Sequence, residues 1–203
     1  MGKLNGIGHM TKQQPEFLHQ SRQRVAHFIM KCLAIPLLAA MAACASSPDI
    51  VEHGFSFDAR WDSRDVEILD YRYGNSNQPG ARPQDYSLRE GKIPQQASVT
   101  GKFPREDTLY VKWRIKTTGE VHEDTVDLKR YLPRDISGQR IRFIIEGPQL
   151  YVYLISLRPV RGYIDKAEYA EMKQAAVTPR QERLFVYARH SVVLVYPHQS
   201  GTQ

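Results

Sequence analysis

Three polar residues at alternating positions could form a catalytic or metal-binding set: Glu120, His122 and Asp124. Alternate side chains of a β-strand point to the same face, so on a strand these three would lie together. Two carboxylates and an imidazole on one face can act as an acid–base set or hold a metal ion. The segment before them is rich in lysine and arginine. A charged hairpin, in which these acids face basic residues, is the simpler interpretation, and we favour it.

The other candidate for catalysis is the pair His190-Ser191. Neighbouring residues of a strand point to opposite faces, so this histidine could not activate this serine. The sequence also contains no G-x-S-x-G elbow, no phosphate-binding loop and no H-E-x-x-H motif. We therefore predict no catalytic residues, no metal site and no cofactor, and we expect a protein that is not an enzyme.

Cys44 is the residue with the clearest chemistry. The apolar stretch before it begins at Cys32, the only other cysteine, and has 12 residues, whereas a membrane-spanning helix needs about 20. Basic residues precede the stretch and small residues close it, as in a secretory signal. The ending Met41-Ala-Ala-Cys44 resembles the lipobox of bacterial lipoproteins. The alternative is an ordinary signal peptide that happens to contain a cysteine.

The lipoprotein resemblance implies an anchor and a location. Cys44 would be acylated, so that the protein binds the lipid bilayer through it, and Cys32 would leave with the signal. The mature chain would then have no free thiol. Ala45-Ser46 replaces the aspartate that retains such proteins at the inner membrane. By that rule, we expect the protein in the cell envelope, lipid-anchored at the outer membrane and facing the periplasm.

These features suggest five segments along the chain. They are a disordered or unphysiological extension (1–29), a lipoprotein signal peptide (30–43), the lipidated cysteine and tether (44–60), a single β-rich periplasmic domain (61–197) and a tail (198–203). Translation could begin at Met1, Met10 or Met30.

The positive charge of the chain belongs mostly to its leader. The formal net charge is +6, but residues 1–43 carry five basic side chains and one acidic one, a net +4. The remaining chain has 23 basic and 21 acidic residues. A nearly balanced domain lacks the electrostatic footprint of a nucleic-acid-binding protein, so we expect no nucleic-acid partner.

Alternating apolar residues predict a mainly β protein. Strands are indicated at 65–73, in hairpins at 107–128 and 140–155, and at 183–189 and 191–196, the last two of which could instead be one long strand. Residues 74–97 are rich in Gly, Pro and Asn and indicate a long loop, and 164–176 indicate a helix capped by Asp165. We expect five to eight strands in an antiparallel β-sandwich or half-barrel, with one short α-helix near the C-terminus.

Each hairpin also has a predicted register. A turn at Thr118-Gly119 places Val111 opposite Val126 and Leu109 opposite Leu128; a three-residue loop would shift this pairing by one. A turn at Gly147-Pro148 places three apolar pairs opposite each other: Ile145 and Leu150, Phe143 and Val152, and Ile141 and Leu154.

Two groups of residues are candidates for binding a protein partner. The first is the reverse face of the second hairpin, where arginine and tyrosine are types enriched in binding hot spots: Arg140, Arg142, Tyr151 and Tyr153. The alternative for these residues is packing within the fold. The second group lies in the 74–97 loop: Arg82, Tyr86 and Arg89.

Four strings carry a further resemblance, over roughly residues 60–157. They are VEILDYRYG (66–74), YVKWR (110–114), TVDL (125–128) and GPQLYVYL (147–154). As a set they resemble a group of proteobacterial lipoproteins associated with type VI secretion and encoded beside spike and lipase-effector genes. This resemblance implies a periplasmic immunity protein that binds and inhibits a toxic effector, often a phospholipase. The alternative is a structural or assembly lipoprotein of the envelope or of a secretion apparatus.

Overall fold

The computed structural model describes residues 49–197, in which eight strands, four short α-helices and one 3₁₀ helix occur. The strands are β1 (Ile50–Asp58), β2 (Val66–Tyr73), β3 (Gln96–Pro104), β4 (Thr108–Ile115), β5 (Val121–Asp127), β6 (Gln139–Glu146), β7 (Gln149–Ser156) and β8 (Val192–Tyr196). The helices are α1 (Asp85–Glu90), α2 (Leu128–Tyr131), α3 (Lys166–Gln174), α4 (Pro179–Arg183) and the 3₁₀ helix (Leu184–Tyr187). The predicted extension, signal peptide, Cys44 and tail lie outside the described residues.

The strands form two open sheets that pack face to face, as in a β-sandwich. The larger sheet has the order β3-β1-β6-β7-β8 and the smaller one β2-β4-β5. All pairings are antiparallel except β1 with β6, which is parallel. Apolar side chains from both sheets fill the space between them, including Phe55, Phe143, Tyr71 and Trp113. The predicted mainly β fold is confirmed.

Trp113 also joins the two sheets by a hydrogen bond. Its indole Nε1 donates to the carbonyl oxygen of Gly147 at 3.0 Å. The tryptophan belongs to β4 in the small sheet, whereas Gly147 forms the β6–β7 turn of the large sheet. The buried ring therefore satisfies its one polar group across the core.

The second hairpin has its predicted register. Ile145 pairs with Leu150, Phe143 with Val152 and Ile141 with Leu154, around the turn at Gly147-Pro148. The apolar pairs face the small sheet, and the reverse face of β6 and β7 lies on the outside of the large sheet.

The predicted register of the first hairpin is wrong by two residues. Leu109 pairs with Val126, and Val111 pairs with Asp124. The turn takes four residues, 116–119, because Gly119 adopts a positive φ of 76° and its N–H donates to the carbonyl of Ile115. A shift by two keeps every side chain on its predicted face, so Leu109, Val111, Trp113 and Ile115 are buried as expected.

The segment interpreted as a tether contains a central strand. β1 lies between β3 and β6, and its alternate residues Val51, Phe55 and Phe57 enter the core. His53 shares this inward face and is fully buried. The compact domain therefore begins near residue 50 and not at residue 61.

His53 has both ring nitrogens satisfied inside the core. Nδ1 lies 2.9 Å from the carbonyl oxygen of Val51, which can only accept, so Nδ1 carries the proton. Nε2 lies 3.0 Å from the hydroxyl of Tyr73 and accepts from it. That hydroxyl in turn accepts from the N–H of Glu106 at 3.2 Å. Burial lowers the pKa of His53 below its ordinary value of 6.5.

Residues 74–97 are more ordered than a long loop. They contain α1, and the segment before it packs onto the core through Ala81, whose carbonyl accepts from the N–H of Tyr73 at 2.9 Å. At their end, Gln96 and Ala97 begin β3, which runs along the edge of the large sheet beside β1.

The C-terminal segment is helical where a strand was expected. Helix α3 has the predicted cap, because the Asp165 side chain accepts from the N–H groups of Ala167 and Glu168. Residues 183–189, predicted as a strand, instead form the end of α4, the 3₁₀ helix and the turn that follows it. Thr178 and Gln181 form a capping box with Pro179 at the first position, which starts α4 and directs the chain into a helix. None of the helices within residues 49–197 is long and apolar enough to cross a bilayer.

Candidate binding surfaces

The predicted Arg/Tyr strip on β6 and β7 lies beneath the C-terminal helices. Tyr153 is 5% exposed and Arg142 is 8% exposed. Together with Ile144 and Ile155, Tyr153 forms a second apolar cluster under the 3₁₀ helix. The expectation of an open binding face is therefore corrected for these two residues, which pack within the fold.

The other two members of the strip are partly covered. Arg180 of α4 places its guanidinium 3.4 Å from the centre of the Tyr151 ring. Arg140 donates from Nη2 to the Thr100 hydroxyl of β3 at 2.9 Å. Both side chains are engaged by neighbouring elements and contribute little free surface. The capping box of Thr178 and Gln181 was the sequence signal for α4, the helix that covers this face.

Arg142 is held by a buried ion pair. Its Nε donates to Oδ2 of Asp62 at 2.9 Å, and its Nη2 donates to the same oxygen. Nη1 donates to the Ser56 hydroxyl at 3.2 Å, and the ring of Tyr187 lies 5.5 Å from the guanidinium carbon. Burial raises the pKa of Asp62, and the adjacent Arg142 guanidinium opposes that rise. The pair fastens the β1–β2 loop to the outside of the large sheet.

The second predicted group lies around α1 and is exposed. Arg82 is 4.0 Å from Asp85, and Tyr86 and Arg89 point away from the core. All three line one shallow cleft beside residues 77–79. Their part in binding a partner stays a prediction.

Glu120, His122 and Asp124, which lie on β5 and just before it, do not form one set. His122 Nε2 is 3.7 Å from Glu120, and its ring stacks on Trp113. Asp124 instead accepts a hydrogen bond from the Tyr196 hydroxyl at 2.8 Å. Among residues 49–197, no group of three or more His, Cys, Asp and Glu side chains is placed to hold a metal ion.

Ser191 and His190 both face Ser156 rather than each other. The N–H of Ser191 donates to the Ser156 hydroxyl at 3.0 Å, and Nδ1 of His190 donates to the Ser156 carbonyl at 2.7 Å. These contacts brace the start of β8 against the end of β7.

The sequence interpretation missed an exposed aromatic surface around Trp61. The indole is 51% exposed, and the guanidinium carbon of Arg64 lies 4.8 Å from its ring centre. Tyr169 of α3 and Val186 of the 3₁₀ helix are also exposed and line the same cleft, whose volume is about 440 Å³. We call these four residues the Trp61 surface. The sequence indication of this surface is the string Arg60-Trp-Asp-Ser-Arg64, in which a single tryptophan lies among polar residues.

The loop that carries Trp61 is fixed on both sides of the ring. Asp62 is paired with Arg142, and its N–H donates to the Asp58 carbonyl at 2.8 Å. The Ser63 hydroxyl accepts from the N–H of Ile145 at 2.8 Å, and Asp65 accepts from the N–H of Gly147 at 3.1 Å. The exposed ring therefore stands on a loop that is already ordered.

Comparisons with known proteins add no relative. Protein-family models gave no match to the chain, and neither curated proteins nor solved structures matched it.

Proposed function

We propose that the protein is a membrane-anchored periplasmic lipoprotein that binds another protein and inhibits it by covering its working surface. In its specific form, the proposal is immunity to a type VI secretion effector of the lipase class. Four strings between residues 66 and 154 support that form by their resemblance to lipoproteins associated with type VI secretion.

The Trp61 surface is the observation that carries the binding role. Binding hot spots are enriched in Trp, Tyr and Arg, and three of those types meet here beside an exposed valine. Removing such an aromatic cluster from water lowers the free energy of the complex, so covering it favours binding. Because hydrogen bonds already order the loop, little conformational entropy is lost on binding.

The anchor supports a role at the membrane surface. The string Met41-Ala-Ala-Cys44 supports acylation of Cys44, and the following Ala45-Ser46 supports sorting to the outer membrane. Strand β1 begins six residues after Cys44, so an extended connection spans at most about 20 Å. The domain would stand close to the leaflet that a periplasmic lipase attacks.

A structural or assembly lipoprotein is the competing proposal. It would use the same anchor and a similar fold, so the two differ in the partner. A spike or lipase gene beside the coding gene favours immunity, and a neighbourhood of envelope-assembly genes favours assembly.

The test combines co-purification with rescue from toxicity. The full chain is expressed with the product of the neighbouring gene directed to the periplasm, and cell survival and complex formation are measured. We expect rescue and a stable complex, and a weaker complex with poorer rescue for Trp61→Ala. Val121→Ala is the control, since Val121 is similarly exposed on β5 and belongs to neither candidate binding group. Absence of both complex and rescue with the unmodified chain would reject immunity.

A further inference from the structure

The connection from β7 to α3 exposes two large apolar side chains to water. Val160 is 63% exposed and Tyr163 is 84% exposed. We call residues 157–164 the anchor-end loop; it contains two arginines and no acidic residue. Tyrosine and arginine are enriched where proteins meet the interfacial region of a bilayer, and an exposed apolar side chain such as that of Val160 can enter it.

The anchor-end loop is held by hydrogen bonds at its start and middle. The N–H of Leu157 donates to the Gly138 carbonyl at 2.7 Å, and the Ser156 hydroxyl donates to the Arg158 carbonyl at 2.8 Å. The N–H of Val160 donates to the Arg189 carbonyl at 2.8 Å. Val160 is therefore exposed on ordered backbone and not on a free end.

Two arginines belong to the loop and a third, Arg189, is bonded to it through the backbone. Arg161 forms an ion pair with Glu168 at 3.3 Å. Arg158 and Arg189 are also exposed, and neither forms an ion pair with any residue in the range 49–197. The two guanidinium groups are thus available to an anionic ligand.

The loop lies at the end of the large sheet where β1 begins. The Glu52 carbonyl accepts from the N–H of Gly138 at 2.9 Å, and the Gly138 carbonyl accepts from Leu157. These bonds connect β1, β6 and β7 in one row, and the spacing of neighbouring strands places Leu157 about 10 Å from β1. The acylated Cys44 of the proposed function is six residues before Ile50, which gives it a reach of about 20 Å.

We propose that the anchor-end loop docks on the anionic phospholipid surface to which Cys44 is attached. Arg158 and Arg189 bind headgroup phosphates, and Val160 and Tyr163 enter the interfacial region. The inference rests on the lipid anchoring in the proposed function, but not on the identity of the protein partner. With two attachment points, the domain has a fixed orientation, and the indole of Trp61 is held away from the bilayer.

The placement of the Trp61 surface follows from the strand direction. Asp62, next to Trp61, contacts Arg142, which lies level with Ser56 of β1. Six residues of strand separate Ser56 from Ile50, or about 20 Å along the sheet. A docked anchor-end loop therefore leaves the Trp61 indole open to a partner in the periplasm, whereas Val186, three residues before Arg189, stands nearer the bilayer.

A fluorescent label can test this contact in the lipidated protein. The processed protein has no free thiol, so Gly162→Cys gives one labelling position inside the loop. A side chain at Gly162 meets no atom within 4 Å, and every residue invoked stays in place. Thr117→Cys labels the exposed β4–β5 turn at the opposite end. Both proteins carry an environment-sensitive dye and are placed in vesicles of phosphatidylethanolamine and phosphatidylglycerol that contain lipid-attached quenchers.

We expect quenching and a blue shift for the label at position 162 and neither for the label at 117. Combining Arg158→Glu with Arg189→Glu, raising the salt concentration, or replacing phosphatidylglycerol by phosphatidylcholine should each reduce the quenching at least about two-fold. Quenching that survives all three changes would reflect the short tether alone and would overturn the inference. A label at 162 that stays in water in vesicles yet is protected in cells would indicate a protein at this end instead, and would also overturn it.

A failure of the anchor gives a different result. A chain that carries no acyl group does not incorporate into the vesicles, and fatty-acid labelling of Cys44 detects this directly. The proposed function would then fail at its first step. A chain that is acylated but gives equal signals at positions 117 and 162 retains the anchor and rejects only the docked loop.

Discussion

The guanidinium of Arg142 on β6 donates twice to a single carboxylate oxygen, Oδ2 of Asp62 in the β1–β2 loop. Both side chains are buried, and the ring of Tyr187 covers the arginine. Asp62 is the neighbour of Trp61 in the chain. This one ion pair therefore connects the residues buried beneath the 3₁₀ helix to the exposed Trp61 surface. A change at the pair should therefore affect both stability and the position of the tryptophan.

Arg142→Met should strongly destabilise the domain. It leaves the Asp62 carboxylate buried without its partner, which costs about 3–5 kcal/mol in the free energy of unfolding. Urea denaturation followed by tryptophan fluorescence measures the loss. Arg140→Met is the matched control on the same strand face, because Arg140 donates only to Thr100, and we expect a loss of about 1 kcal/mol or less. Equal losses in the two variants would contradict the importance of the pair.

The double variant Arg142→Met with Asp62→Leu should recover most of that stability. It removes both charges, so no buried carboxylate is left without a cation. The two single variants and the double variant form a cycle that isolates the coupling of the two residues. A double variant as unstable as Arg142→Met would show that the arginine acts through packing beneath Tyr187 and not through Asp62.

Trp61→Ala should weaken partner binding without unfolding the domain. A central aromatic anchor contributes about 2 kcal/mol or more to binding, which corresponds to a loss of roughly thirty-fold in affinity. The ring is half exposed and lies outside both apolar clusters, so the melting temperature should change little. Titration calorimetry with the co-purified partner measures the affinity. If Tyr86→Ala weakens binding more than Trp61→Ala, the contact is at α1.

The stability of the domain should fall as the pH drops below about 6.5, through His53. Burial lowers the pKa of this imidazole from its ordinary value of 6.5, so the unfolded chain takes up the proton first. The stabilisation is present above the unfolded pKa and is lost as the pH falls toward the folded pKa. A proton on Nε2 would also displace the hydrogen bond from the Tyr73 hydroxyl.

Urea midpoints at pH 7.5 and pH 5.5 would measure this loss, with two variants for comparison. His53→Gln removes the titrating group and should reduce the difference between the two pH values. His122→Gln should preserve the difference, because His122 is only partly buried on β5. A pH dependence that disappears with His122→Gln and persists with His53→Gln would contradict the assignment.

Gly74→Ala should destabilise the protein more than Gly119→Ala. Both glycines have positive φ, 53° and 76°, so each alanine incurs conformational strain of about 1 kcal/mol. At Gly74 a new Cβ would also lie 2.1 Å from Oε2 of Glu106, whereas at Gly119 it meets nothing within 4 Å. Displacing Glu106 also removes its hydrogen bond to the N–H of Asn75. Thermal melts of the two variants would show the difference, and identical melting temperatures would argue against the close contact.

The parts of the fold that the sequence predicts are those with strong alternation or strong turn signals. The β6–β7 hairpin has three apolar pairs and a Gly-Pro turn, and its register is correct. The β4–β5 hairpin has the right faces but the wrong register, because the turn lengthens to place Gly119 at positive φ. The strict two-residue period fixes the face of a side chain, whereas the turn geometry decides which residues pair.

The missed strands had weak or misleading patterns. In β1 the inward positions include His53, and this polar residue interrupts the apolar alternation in the sequence. In the structure its ring nitrogens are hydrogen-bonded to Val51 and Tyr73, which allows it to be buried. In β3 only Phe103 is fully buried, since an edge strand has few apolar positions. Residues 184–187 are rich in aromatic and branched side chains, which predicts a strand. They are helical instead, because the capping box at Thr178 starts a helix directly before them.

The residue types of the candidate binding surface could be predicted from the sequence, but its position in the fold could not. Arg and Tyr on one strand face suggested a binding strip, but the 3₁₀ helix that covers it comes from a segment predicted as a strand, and α4 before it was not predicted. Trp61 is exposed because Asp62 and Ser63 hold its loop against β6, and these contacts join residues some eighty positions apart. Local patterns contain no information on such long-range contacts.

The central position of β1 determines when the chain can fold. Among the strands of residues 49–197 this one is synthesised first, yet its neighbours β3 and β6 come much later, and Gly54 pairs with Arg140. Until β6 has been made, the apolar residues Val51, Phe55 and Phe57 have no second sheet partner, so no stable N-terminal subdomain can form early. The topology thus keeps the growing chain from completing its large sheet until β6 has been synthesised.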